Sequence, residues 1–201
     1  MIDERDAWEK LCKGSSQGLE TLFKSYYDEL ANYGHKISSD ATLVDDVIQD
    51  LFIYLWDKHA SLSKVEKVKS YLFIAFKRRL IKALQKQNKN LDGELQEYHG
   101  FELSMEDMLM DSELDQIKSQ EVRKALMTLG GKPKEAIYLK FHIGLSIAEM
   151  ADQLEMNPQS VKNLLHRTYK KLRETISKDL IMLFVSRMIS KNKAPNASTE
   201  E

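Results

Sequence analysis

Lys77, Arg78, Arg79, Lys82 and Lys86 crowd into one short stretch, and Lys162, Arg167, Lys170, Lys171 and Arg173 crowd into another. Cations gathered this way do electrostatic work: they neutralise a polyanion and release its counterions. Around them the chain is charged in blocks. Residues 64–90 carry nine basic side chains and one acidic, and residues 159–178 carry six and one. Residues 91–121 carry ten acidic and one basic, and residues 1–63 twelve acidic and six basic. The formal net charge of −1 therefore conceals two cationic segments on either side of an acidic connector. Two such blocks, each on a predicted helix, favour a polyanion as partner over plain solvated helix faces.

Bond-making chemistry finds no comparable grouping. His35, His59, His99, His142 and His166 are scattered, with no ligand spacing around any of them, and Cys12 stands alone without a neighbouring base in sequence. A single cysteine excludes an internal disulfide framework and a multi-cysteine zinc site. Gly130-Gly131-Lys132-Pro133 reads as a turn and not as a phosphate loop, and there is no Walker signature. The expectation is a protein that is not an enzyme and takes no cofactor and no metal.

The elements that must position the cations are helices. The chain has 201 residues, 42% of them hydrophobic and 30% charged, with only 8 glycines and 3 prolines. That is enough apolar material for packed cores, and the apolar residues recur at helical spacing, so the predicted fold class is all-α. A short helix is expected at 4–12. Leu19, Leu22, Phe23, Tyr26, Tyr27, Leu30 and Tyr33 predict a helix near 17–37. Val44, Val47, Ile48, Leu51, Phe52, Leu55 and Trp56 predict another, with Thr42 as its N-cap. Tyr71, Leu72, Ala75, Phe76, Leu80 and Leu84 mark a third, about 68–87. Residues 1–90 thus read as an N-terminal helical domain. Residues 91–115 lose the periodicity and read as an acidic linker, and residues 116–178 as a second helical domain. An extra apolar helix over 179–190 (Leu180, Leu183, Phe184, Met188) is expected to pack back on it, the alternative being that it docks a partner, and 191–201 to be a disordered tail. The longest apolar run, Leu180 to Val185, is far short of the roughly 20 residues a bilayer needs. With no apolar segment after the polar Met1–Arg5 start, a cytoplasmic location is expected.

Residues 145–167 carry the clearest local pattern. Ser146 and Glu149 have capping-box spacing, and Ile147, Met150, Ala151 and Leu154 form one apolar face. Glu155-Met156-Asn157 supplies a short turn in which Asn157 caps the next helix and Pro158 fits its first turn. Val161, Leu164, Leu165 and Thr168 point inward, while Gln159, Ser160, Lys162, Asn163, His166 and Arg167 project elsewhere. A small residue at the crossing and a basic second helix are the parts of a helix-turn-helix, whose second helix enters the major groove. The early polar residues would reach base edges and the later cations phosphates.

The chain as a whole resembles a bacterial sigma factor of the extracytoplasmic-function (ECF) type, the minimal two-domain members of the sigma-70 family. Asp46-Val-Ile-Gln-Asp-Leu-Phe-Ile-Tyr-Leu-Trp56 resembles the family's core-polymerase-binding helix. Ser70-Tyr-Leu-Phe-Ile-Ala-Phe-Lys-Arg-Arg-Leu-Ile-Lys-Ala-Leu84 resembles its promoter-melting, minus-ten-reading helix. Leu145 to Arg173 resembles its minus-thirty-five-reading helix-turn-helix. The resemblance implies that Asp46, Gln49 and Asp50, which share a helix face by spacing, bind core RNA polymerase. It implies minus-ten contacts from Lys69, Tyr71, Lys77, Arg78, Arg79 and Lys82, and minus-thirty-five contacts from Gln159, Ser160, Lys162, Asn163, His166 and Arg167. The loop Ala60 to Lys69 falls where the family captures an unstacked base. The implied partners are core RNA polymerase through its β′ and β subunits, promoter DNA and an anti-sigma protein, with no direct membrane insertion. The sequence departs from the family pattern at Tyr71 (often Trp), Arg78 (often Asn), Glu155 (often Gly) and Leu164 (often Arg). A further expectation is that Glu102, Glu106, Asp107 and Asp111 of the connector mask the basic helices in the free protein. The alternative is a stand-alone helix-turn-helix regulator whose N-terminal helices dimerise or sense a signal.

Overall fold

A computed structural model describes residues 3–90, 101–103 and 113–193. Among them every regular element is helical, and the chain divides into two compact units, Met1–His99 and Gly100–Glu201. Glu106, Asp107 and Asp111 of the connector and the tail from Ala194 lie outside the described residues.

The first unit contains α1 (Glu4–Cys12), α2 (Ser16–His35), α3 (Ala41–Asp57), a 3₁₀ turn (His59–Ser61) and α4 (Val68–Asn90). α1 is capped by Asp3, whose carboxylate accepts the Arg5 N–H at 3.0 Å. In α2 the buried positions are Gly18, Leu22, Tyr26, Leu30 and Gly34, one every four residues, with Tyr33 beside them. That row meets Val44, Val47, Ile48, Leu51, Phe52 and Leu55 of α3 and Leu72, Phe73, Phe76 and Leu80 of α4. Tyr33 lies 5.4 Å from Phe73, and Phe23 meets Phe52 edge-on at 5.1 Å.

Two expectations for α3 are corrected. Its N-cap is Asp40, not Thr42: the Asp40 carboxylate accepts the Leu43 N–H at 3.0 Å, and Thr42 lies inside the first turn. Asp caps as well as any residue, and its charge adds the favourable interaction with the helix dipole. Trp56, expected on the buried stripe, is 36% exposed. The arc facing the core ends at Leu55, and one further residue rotates the side chain about 100° toward solvent.

α1 lies almost backbone to backbone on α2. A Cβ at Gly18 would sit 2.6 Å from both the Ala7 carbonyl oxygen and the Leu11 nitrogen. Only hydrogen at this position permits the approach.

The second unit contains α5 (Glu113–Met127), α6 (Gly131–Ile137), a π-helical segment (Tyr138–Ile143), α7 (Ile147–Leu154), α8 (Pro158–Thr175) and α9 (Lys178–Lys193). α6 and the π segment form its centre, with Ala136, Ile137, Tyr138, Leu139 and Ile143 buried. α9 packs against the π segment, α5 and α8. Ile181 and Val185 join Val122, Leu126, Phe141 and Leu172 around Tyr169, whose hydroxyl pKa burial pushes up to about 12. Phe101 is fully buried 5.3 Å from Tyr138, and Glu102 pairs with Lys134 at 2.7 Å. Glu102 thus pairs with a lysine of α6 that belongs to neither basic block.

The α7–α8 turn holds Glu155 at φ 52°, ψ 49°. Its N–H and that of Met156 both reach the Ala151 carbonyl, the latter at 2.9 Å, closing the helix end in a left-handed C-cap. Glu155 is the one described non-glycine residue with positive φ. A side chain in that region costs about 1–2 kcal/mol.

Two stability predictions follow from these backbone positions. Gly18→Ala should destabilise the first unit by about 1–3 kcal/mol through overpacking, although helix propensity alone favours Ala by about 1 kcal/mol. Urea unfolding reads the sign, and a gain in stability would contradict the close approach. Glu155→Gly should stabilise the second unit by about 1 kcal/mol, since it relieves the left-handed strain. A loss of stability in the same assay would contradict the strained turn.

Candidate nucleic-acid interface

α8 begins at a defined residue because two residues fix it there. The Asn157 side chain accepts the Ser160 N–H at 2.7 Å, and Pro158 occupies the first turn. Ahead of the turn, α7 is set by a complete capping box: the Ser146 N–H donates to Glu149 Oε2 at 2.8 Å, and the Glu149 N–H donates to Ser146 Oγ at 3.3 Å. Ala151 is buried where the two helices meet. Val161, Leu164, Leu165, Thr168 and Leu172 are buried on one side of α8. Lys162, Asn163, His166, Arg167 and Lys170 are exposed on the other, with Gln159 exposed and Ser160 half-buried at its start. The six residues expected to reach DNA thus fall on the first three turns of one helix. Gln159 Nε2 donates to Asn163 Oδ1 at 3.1 Å, and Arg167 Nε donates to the Asn163 carbonyl at 3.4 Å. Leu164 belongs to the core edge, so its departure from the family's Arg removes a cation without opening the helix face.

α4 sorts its cations more sharply than the sequence suggested. Arg78, Lys82 and Lys86 are exposed at four-residue spacing, and Tyr71, seven positions before Arg78, is half-buried on the same side. Burial pushes the Tyr71 hydroxyl pKa up. The other expected contacts have partners within the unit. Lys69 pairs with Glu29 at 2.8 Å, and the Arg79 guanidinium lies 4.4 Å over the Tyr54 ring while reaching back to the Ala75 carbonyl at 3.4 Å. Lys77 is half-buried. The structure gathers Tyr71, Arg78 and Lys82, and turns Lys69 and Arg79 to the surfaces of α2 and α3.

On α3, Asp46, Gln49 and Asp50 are all exposed and share a face. Sequence reasoning missed what continues that face. Ile53 is 58% exposed, and Trp56 follows it by three positions. The signal was available in the spacing: Ile53 is seven positions from Asp46 and three from Asp50, so an apolar residue stands on the polar side. A solvent-facing Ile and Trp beside two carboxylates form a surface suited to a protein partner, because such interfaces combine aromatic anchors with a polar rim.

Among the described residues no group of histidine, cysteine and carboxylate side chains could hold a metal ion, and no helix is long and apolar enough to cross a membrane.

Comparison with known proteins places both units. Residues 22–90 match the family described as sigma-70 region 2, and residues 119–172 match sigma-70 region 4; together they cover more than half of the chain. The chain is 23% identical over 168 residues to RNA polymerase sigma factor YlaC of Bacillus subtilis (strain 168), an alignment spanning 80% of this chain and 92% of that protein. Its fold is similar to that of CnrH, solved in complex with the cytosolic domain of CnrY. The TM-score is 0.57 and the identity 19%, covering 85% of this chain and 95% of that one. The N-terminal helices that a stand-alone regulator would use for dimerisation or sensing are thus region 2. With region 2 in its first unit and region 4 in its second, the chain belongs to the sigma-70 family of RNA polymerase sigma factors, in the two-domain form of the extracytoplasmic-function type.

Proposed function

We propose that this sigma factor binds core RNA polymerase through α3, opens and reads the minus-ten element through α4 and the loop before it, and reads the minus-thirty-five element through α8. The observation that carries this reading is that each helix turns an apolar stripe to its own core and presents charged or polar residues to solvent at the three places where the family resemblance assigns contacts. On α3 the contact set is Asp46, Gln49 and Asp50, extended by Ile53 and Trp56, facing the β′ subunit. On α4, Arg78 and Lys82 track phosphates, with Tyr71 beside them as an aromatic surface for an unstacked base. Lys69, Lys77 and Arg79 border this surface. On α8, Gln159, Ser160 and Asn163 read bases, and Lys162, His166 and Arg167 reach the backbone.

The energetics require no nucleotide hydrolysis. Opening DNA costs about 1–2 kcal/mol per base-pair step in stacking. A site that binds only the splayed base returns part of that cost, and cationic contacts to the opened strand return more. The second domain contributes sequence reading on intact duplex and so holds the polymerase in register. We further propose an anti-sigma protein as partner. CnrH, a protein of similar fold, was solved in complex with the cytosolic domain of CnrY.

The decisive assay adds the purified protein to core RNA polymerase with a broad promoter library and sequences the transcript starts. Promoter-directed transcripts are expected, and their absence would overturn the reading. Asp50→Arg should weaken core binding by about tenfold, as reversing a charge at a complementary interface does, with urea unfolding unchanged. Unaltered affinity would remove α3 from the interface. Lys162→Ala should lower the slope of log affinity against log salt for promoter DNA by about 1. An unchanged slope would take Lys162 off the phosphate backbone.

A further inference from the structure

The region 2 match begins at residue 22, leaving α1 outside it. Yet α1 and the turn after it touch the segment 59–71 at four points. The Trp8 indole Nε1–H donates to the Ser63 carbonyl at 3.2 Å. The Trp8 ring meets Tyr71 edge-on at 5.1 Å. Glu9 approaches the Lys64 ammonium at 3.5 Å. Gly14, at φ 80°, lies against the His59 ring, where a Cβ would stand 3.2 Å from Nε2. These contacts cover the start and the middle of the loop that separates α3 from α4, and the first turn of α4 beyond it.

We infer that α1 is a brace that presets the melting loop, with Trp8 as the positioning residue for capture of the unstacked promoter base. The inference rests on the reading of residues 60–69 as the base-capturing loop. Its physical basis is the entropy of the loop. Residues 62–67 form no regular structure, and Ser63, Lys64, Glu66 and Lys67 are exposed. Ordering backbone costs about 1–2 kcal/mol per residue. A loop held before DNA arrives does not incur that cost at the moment of strand opening. Trp8 is suited to hold it because it is immobile: 1% exposed, between the α1–α2 contact and Tyr71. The anchor is itself fixed by Gly18, which lets α1 approach α2 closely. One side chain therefore sets both the loop backbone at Ser63 and the orientation of Tyr71, the aromatic surface beside the exposed cations of α4.

The test uses the full-length chain with core RNA polymerase, on promoters that the wild-type holoenzyme selects from a randomised library. Trp8→Phe keeps an aromatic ring against Tyr71 and deletes the donor to Ser63. Two templates are compared: the intact duplex, and a fork in which the minus-ten non-template strand is already single-stranded. The expected result is a drop of about fivefold in open-complex formation on duplex, the order of one lost hydrogen bond. A comparable loss of affinity for the fork and unchanged affinity for core polymerase are also expected. Hydrogen exchange should rise in residues 60–67 and stay unchanged in α2 and α3. Equal opening by Trp8→Phe and wild type would overturn the brace. So would a parallel loss of core binding, which would make Trp8 a general stability residue. If the wild-type protein selects no promoter, the failure belongs to the sigma-factor reading and not to α1.

Discussion

An ammonium or guanidinium group taken out of water without a counter-charge costs several kcal/mol, and both domains are built around that cost. Each basic helix buries one stripe and solvates the other. α8 commits Val161, Leu164, Leu165, Thr168 and Leu172 to the core and keeps Lys162, Arg167 and Lys170 in water. α4 commits Leu72, Phe73, Phe76 and Leu80 and keeps Arg78, Lys82 and Lys86 out. Where a cation approaches the interior it has been given a partner. Lys134, almost fully buried, meets Glu102; Lys69 meets Glu29; Arg79 lies on the face of Tyr54. Arg78, Lys82 and Lys86 of α4 and Lys162 and Lys170 of α8 stand on the solvent sides of their helices, where phosphate can reach them.

Rigidity around these faces comes from small residues and caps more than from bulk. Gly18 and Gly34 let α2 be approached closely from both sides: a Cβ at Gly34 would stand 2.7 Å from Val44 and 2.9 Å from Phe76. The caps at Ser146, Glu149 and Asn157 fix where these helices start and so which side chains of α8 come first. The strained Glu155 joins them in a turn for which glycine is the easier residue. Under the proposed reading, base recognition requires that the first turns of α8 be presented in one register, and the turn's geometry suits that requirement.

Much of this was legible in the sequence, for reasons that can be named. Apolar spacing located the helices because the core is built from stripes, as in the four-residue row of α2. The capping box was legible because Ser146 and Glu149 are three apart and act on their own backbone. What the sequence concealed depends on neighbours distant along the chain. Nothing near Lys69 or Arg79 announces that Glu29 and Tyr54 will meet them. Trp56 looked buried because it adjoins Leu55, and hydrophobicity alone does not mark where an apolar arc ends. Phe101 and Glu102 sit in an acidic stretch without periodicity, yet both are tied to the second unit. The bond from Trp8 to Ser63 spans 55 positions, and no local pattern encodes it.

The central claim is that two separately presented cationic helices engage one promoter in two different states, duplex at one and opened strand at the other. Photo-crosslinkers placed at positions 82 and 163, assayed in the polymerase–promoter complex, examine it directly. The account predicts that position 163 labels duplex DNA upstream, and that position 82 labels a separate segment reactive to single-strand probes. Labelling of a single shared segment by both positions, or labelling from only one of them, would contradict it.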